Sequence, residues 1–138
     1  MPLVRVSLNR GRSPEFRTSV GDAVHRALVE TINLPAGDHF QLFTEYEPGN
    51  LVCEPGYLGI PRTDALVIIQ ITLVAGRTVD QKKELFKRIA ELLQTGCGAR
   101  PEDVFVGLIE APRENWSFGL GVAQVCGYAS TTPGEYVA

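Results

Sequence analysis

The sequence predicts an α+β fold: a duplicated β-α-β unit forming a four-stranded sheet with two helices on one face. Three observations carry this reading. First, residues 65 positions apart match without a gap, so that Gly11-Arg12-Ser13 lies over Gly76-Arg77-Thr78, Asp38 over Asp103, Phe40 over Phe105 and Glu45 over Glu110. Leu8 over Leu73, Val24 over Ile89 and Leu28 over Leu93 keep the same offset, as a repeated unit would. Second, each matched stretch passes from two-residue alternation to helical spacing and back. Third, 138 residues suffice for one domain and leave little beyond the two units. We read residues 1–138 as that single domain, with the repeat over roughly 2–45 and 67–110 and a loop-like tail over 111–138.

The elements follow in order. Residues 2–8 alternate as a strand does. Ser13 is a good N-cap, and Pro14 suits the first helical position because its missing N–H would be unpaired there anyway. Phe16, Val20, Val24, Ala27, Leu28 and Ile32 then recur at helical spacing. Gly21 weakens that helix by about 1 kcal/mol relative to Ala. Leu34-Pro35-Ala36-Gly37 ends it, and 39–45 is the second strand. An insert over 46–64 is rich in turn residues. Residues 66–74 are β-branched and apolar, as in a buried strand. Thr78 and Gln81 have capping-box spacing. Leu85, Phe86, Ile89, Leu92 and Leu93 form the second helix's stripe, Gly96 and Gly98 stop it, and 104–110 closes the unit. The strand–helix–strand order implies parallel pairs. Two helices cover only one face of such a sheet, so the other must be buried by oligomerisation.

Composition excludes several classes. The 44% hydrophobic and 21% charged content is that of a globular protein, not a disordered, collagen-like or coiled-coil chain. A net charge of -3 with no basic run argues against nucleic-acid binding. The longest uncharged apolar run, 65–74, is too short for a bilayer, which needs roughly 20 residues. The N-terminus lacks the apolar stretch of a signal peptide. Three widely spaced cysteines without a CxxC pair argue for free thiols and a cytoplasmic protein. No His-rich constellation suggests a metal.

Chemistry can reside at a few places. Removal of Met1 would leave Pro2 as a secondary amine, and an α-amine has a pKa of about 7.7–8.0. It can serve as a base, as a charged acid, or as a nucleophile forming an iminium; Pro2 is also simply an acceptable first strand residue. Arg12 and Arg77 each follow a strand and precede a helix N-cap, where a guanidinium can hold a carboxylate or remain a solvated surface group. Asp38 and Asp103 each precede a second strand, where a turn carboxylate commonly bonds its own backbone; at most one is free for catalysis. His25 lies beside the apolar stripe, and His39 points away from Asp38 if the strand is extended. Trp116 and Phe118 point the same way in an extended tail and make an aromatic wall, over a core, a subunit contact or a ligand.

Together, Met1-Pro2-Leu3, Ala36-Gly37-Asp38-His39-Phe40-Gln41, Gly76-Arg77-Thr78 with Asp80-Gln81-Lys82, Pro101-Glu102-Asp103-Val104, and Asn115-Trp116-Ser117-Phe118-Gly119-Leu120-Gly121 with Ala123-Gln124 resemble the tautomerase superfamily. Within it the likeness is closest to the malonate semialdehyde decarboxylases. The resemblance implies a homotrimer, no added cofactor, and a small carboxylate substrate. It implies Pro2 as the central catalytic group, Asp38 as the catalytic aspartate, Arg77 as the second of two paired arginines, and Trp116 and Phe118 as an aromatic wall. The first arginine of the pair falls at Ala75, so the carboxylate would be held by Arg77 with help from Thr72 or a neighbouring subunit. The activity so implied is decarboxylation of a small 3-oxo acid, malonate semialdehyde to acetaldehyde and CO2. The alternatives are a keto–enol tautomerase of a 2-oxo acid, a hydrolytic dehalogenase of a 3-haloacrylate, and a non-catalytic oligomeric ligand-binding module.

Overall fold

The computed structural model describes residues 2–126; Met1, and Gly127 and Pro133-Gly134 of the tail, lie outside the described residues. Strand β1 (Leu3–Asn9) leads into helix α1 (Pro14–Ile32) and strand β2 (Gln41–Tyr46); strand β3 (Val67–Val74) leads into helix α2 (Val79–Cys97) and strand β4 (Val104–Ala111). The sheet order is β2-β1-β3-β4. The outer pairs are parallel and the central pair, β1 with β3, is antiparallel.

Local signals explain the helix ends. Ser13 accepts from the Phe16 N–H at 3.1 Å, with Pro14 in the first turn. Thr78 and Gln81 close a reciprocal capping box, at 3.1 and 2.9 Å, satisfying two N–H groups that the helix leaves unpaired. Three expectations at the boundaries are corrected. Asn33, left-handed at φ 56°, ends α1 before Leu34; its short polar side chain tolerates that conformation. Gly96 lies inside α2, and Gly98 at φ 71° is the terminating residue. Strand β2 starts at Gln41, leaving His39 and Phe40 ahead of it.

One face of the sheet and both helices share a single core. Val4, Val6 and Leu8 of β1 and Ile69, Ile71 and Leu73 of β3 alternate into it, against Val20, Val24 and Leu28 of α1 and Leu85, Ile89 and Leu93 of α2. Phe86 was expected in that stripe but is 37% exposed, because its neighbour Leu85 takes the inward position and adjacent helix residues diverge by about 100°. The opposite face carries no helix among the described residues. It presents Leu42 beside β1, and Phe105 and Ile109 beside β3, all substantially exposed.

The duplication extends to electrostatics. Arg17 pairs with Glu45, and at the same offset Lys82 pairs with Glu110. Each ties the start of a helix to the strand that follows it. The Lys82 ammonium holds the Glu110 carboxyl below the usual range, with the Gly76 N–H and the Arg77 charge adding to the effect.

Candidate functional site

The antiparallel centre of the sheet decides which chain ends meet. Leu3 lies opposite Thr72, so the start of β1 adjoins the end of β3. Val4 lies beside Gln41, so the start of β2 reaches the same end. Ala111 lies beside Val74, so β4 finishes there too. Pro2, Asp38 and Arg77 therefore occupy one end of the sheet, and the loop bearing Trp116 and Phe118 leaves β4 from it. Arg12 follows β1 and belongs to the opposite end, where its guanidinium lies 4.3 Å over the Phe16 ring.

Pro2 is buried immediately ahead of β1. The Val4 N–H donates to the Phe40 carbonyl at 3.1 Å. That bond comes two residues after Pro2 and two residues after Asp38, which brings the two segments side by side. Asp38 is 8% exposed, and its N–H donates to the Pro35 carbonyl at 2.9 Å. Arg77 is half-buried, and its guanidinium Nη1 donates to the Val74 carbonyl at 3.1 Å. That bond anchors the head group to the end of β3. Ala75 is exposed and its N–H donates to the Ala111 carbonyl, so this position contributes backbone pairing and no charge. Thr72 is half-buried on the helix-free face.

The Trp116 and Phe118 rings stack with centroids 5.7 Å apart and planes at 10°. Gln124 supports them: its Oε1 accepts from the Phe118 N–H at 2.9 Å and its Nε2 donates to the Gly119 carbonyl at 2.7 Å. Trp116 Nε1 is buried and finds no hydrogen-bond partner among the described residues. A stacked aromatic pair in the loop that follows β4 offers an apolar surface.

Asp103, the counterpart of Asp38, is fully buried at the other end and accepts from Thr63 N and Thr63 Oγ1, both at 2.7 Å. It bonds a residue forty positions away rather than its own turn, and so fastens the 46–64 insert to β4. The sequence reading also missed a contact between the only two histidines. His25 and His39 stack at 4.2 Å with planes at 14°. His39 stays outside β2, so the strand alternation used to aim it away does not apply. Among the described residues, no group of three His, Cys, Asp or Glu side chains is gathered to hold a metal ion, and no helix is long and apolar enough to cross a membrane.

Two family models, each described as a tautomerase enzyme, match the chain, one over residues 38–119 and the other over residues 2–60. The probable tautomerase YusQ of Bacillus subtilis (strain 168) is 40% identical over 125 residues, covering 91% of this chain and 98% of its own. The fold matches a crystal structure of malonate semialdehyde decarboxylase with a TM-score of 0.84 at 34% identity, over 89% of this chain and 95% of that one. FG41 malonate semialdehyde decarboxylase inhibited by 3-bromopropiolate gives a TM-score of 0.83 at 41% identity, over 88% and 92%. A fused 4-OT symmetric trimer gives 0.74 at 25% identity, over 91% and 99%.

Proposed function

Because the chain belongs to the tautomerase superfamily, we propose that it is a homotrimeric decarboxylase of a small 3-oxo acid, converting malonate semialdehyde to acetaldehyde and CO2 without an added cofactor. Pro2, exposed by removal of Met1, is the central catalytic group. The observation that carries the reading is the meeting of Pro2, Asp38 and Arg77 at one end of the sheet, on a fold shared with two malonate semialdehyde decarboxylases.

The chemistry follows from charge. When the bond to the carboxylate breaks, its electron pair enters the carbonyl π system and CO2 leaves. The developing enolate needs a proton or a hydrogen bond at oxygen, which a protonated Pro2 supplies; condensation of neutral Pro2 to an iminium provides an equivalent sink. Protonation of the α-carbon, and hydrolysis where an iminium formed, then releases acetaldehyde. Arg77 anchors the carboxylate and turns it out of the carbonyl plane, aligning the breaking bond with the π system. An ionised Asp38 beside Pro2 favours the protonated amine. The Trp116–Phe118 stack keeps water away while the localised carboxylate charge passes into the delocalised enolate and neutral CO2 departs. The helix-free sheet face, with Phe105 and Ile109 exposed, supplies the surface for trimer assembly.

The test is acetaldehyde release from malonate semialdehyde by wild type, Pro2→Ala, Asp38→Asn and Arg77→Ala. Borohydride reduction followed by mass mapping looks for a Pro2 adduct and separates iminium from hydrogen-bond activation. Release by wild type that collapses in all three variants supports the reading. No release, together with rapid ketonisation of an enol, replaces it with a keto–enol tautomerase. That second reading is favoured by the name of YusQ and requires Pro2 neutral, so titration of its nitrogen discriminates. A midpoint well above neutral favours the decarboxylase, and one well below favours the tautomerase.

A further inference from the structure

Asp38 lies in the connection between α1 and β2, outside both elements, so its carboxylate is only as well placed as that connection. The connection is held from α1. His25 Nε2 lies 3.0 Å from the Ala36 carbonyl oxygen; a carbonyl only accepts, so Nε2 carries the proton. The same ring lies flat against His39 at 4.2 Å. One imidazole therefore grips the chain two residues before Asp38 and again one residue after it. One helical turn earlier, on the same side of α1, the Gly21 carbonyl accepts from Gln41 Nε2 at 2.9 Å. This close approach requires a bare Cα, because a Cβ at residue 21 would lie 2.4 Å from Gln41 Oε1.

We propose that the His25–His39 stack is a positioning latch that sets the Asp38 carboxylate against the Pro2 nitrogen, with the Gly21–Gln41 contact fixing the strand beyond it. The inference rests on the proposed function in taking Asp38 as the counter-charge of Pro2. It goes further by assigning to two residues of the α1 side of the site a task that neither performs by touching substrate. The physical reason is that a carboxylate's influence on a neighbouring amine falls with distance, so a connection free to shift by an ångström or two would blur it. A site group is held best by rigid elements and by side chains locked behind it, and here α1 provides both holds.

The test is an NMR titration of the Pro2 nitrogen in the full-length protein, with Met1 removal verified by intact mass. Asp38→Asn is expected to lower the Pro2 midpoint by about one unit or more. His25→Ala, which removes both contacts, is expected to lower it in the same direction, and His25→Gln, which keeps a donor for Ala36 but loses the ring stack, to recover only part of the loss. In malonate semialdehyde turnover the same variants should lose kcat while KM stays near wild type. A shift with Asp38→Asn but none with His25→Ala overturns the latch and leaves the proposed function standing. A shift with His25→Ala that His25→Gln recovers in full also overturns it, because the ring stack then carries nothing. No shift with Asp38→Asn removes Asp38 from its proposed role and the latch with it. Should His25→Ala fail to fold, His39→Ala, at an exposed position, makes the same comparison: a lowered midpoint supports the latch and an unchanged one overturns it.

Discussion

Asp38 and Asp103 stand at equivalent points of the two β-α-β units, yet the antiparallel pairing of β1 with β3 sends them to opposite ends of the sheet. Only one of those ends also holds the start of β1. At the other, the residue matching Pro2 is Val67, inside a continuous chain, with no amine to offer. Duplication thus supplied two equivalent positions, and only at Pro2 would the proposed removal of Met1 create a terminal amine. The other aspartate serves as a structural clamp on Thr63.

Asp103→Ala should therefore destabilise the fold without altering the chemistry at Pro2. It leaves the Thr63 N–H and hydroxyl without their buried acceptor, at a cost of about 2–4 kcal/mol, or roughly 10 °C in Tm. Thermal unfolding measures the loss, and the Pro2 titration midpoint should stay at its wild-type value. A displaced midpoint would mean that the two ends are coupled.

Arg77 is anchored by its bond to the Val74 carbonyl, so its charge is held at the end of β3 before substrate arrives. With Ala75 where a second arginine would stand, Arg77→Ala should lower kcat/KM for malonate semialdehyde by roughly 100-fold or more. Arg77→Lys should restore only part, because an ammonium lacks the bidentate fork. Steady-state kinetics on the three proteins checks this, and a full rescue by lysine would show that charge alone suffices.

These outcomes bear on what was readable beforehand. Ser13, Pro14, Thr78 and Gln81 announced both helix starts, because capping is local chemistry. The 65-residue offset announced the repeated unit, and it also contained a signal left unread: Arg17 over Lys82, which with Glu45 over Glu110 marks a duplicated ion pair. The residues offered Pro2 and the pairs Asp38 and Asp103, Arg12 and Arg77, and the family resemblance chose Asp38 and Arg77 among them, but their common end depends on which strands pair antiparallel, which no single segment encodes. The His25–His39 stack was hidden because it joins a helix interior to a connection fourteen residues on, with no periodic signature. Gly21 read as a weak point in α1, whereas its missing side chain makes room for Gln41.

The helix-free face yields a prediction about assembly. Phe105 and Ile109 alternate onto it from β4 at 51% and 46% exposure, an apolar patch of the kind that marks an interface. A charge at its centre, Ile109→Asp, should convert the proposed trimer to monomer in sedimentation analysis while far-ultraviolet circular dichroism stays native, since the core lies on the other face. Decarboxylation should fall with the trimer if neighbouring subunits help to wall the site. A trimer that persists would place the interface elsewhere.

Acid should weaken the contact between the two helices through Glu30. Arg88 on α2 bonds the Glu30 carboxylate of α1 at 2.5 Å, and Arg26 bonds it at 2.7 Å. The Arg88 hydrogen bond, followed by that of Arg26, holds the Glu30 carboxyl from an ordinary 4.5 down to about 2. Because the folded value is depressed, the unfolded chain binds the proton first as pH falls, and the stabilisation is lost between pH 4.5 and about 2. Wild type should thus melt above Glu30→Gln at pH 7, with the gap closing through that window. The side chains are about a third exposed, so the gap should be small and should shrink further in high salt. Melting curves of both proteins from pH 7 to pH 2, at two ionic strengths, decide it; a gap independent of pH would assign the effect of Glu30 to packing rather than charge.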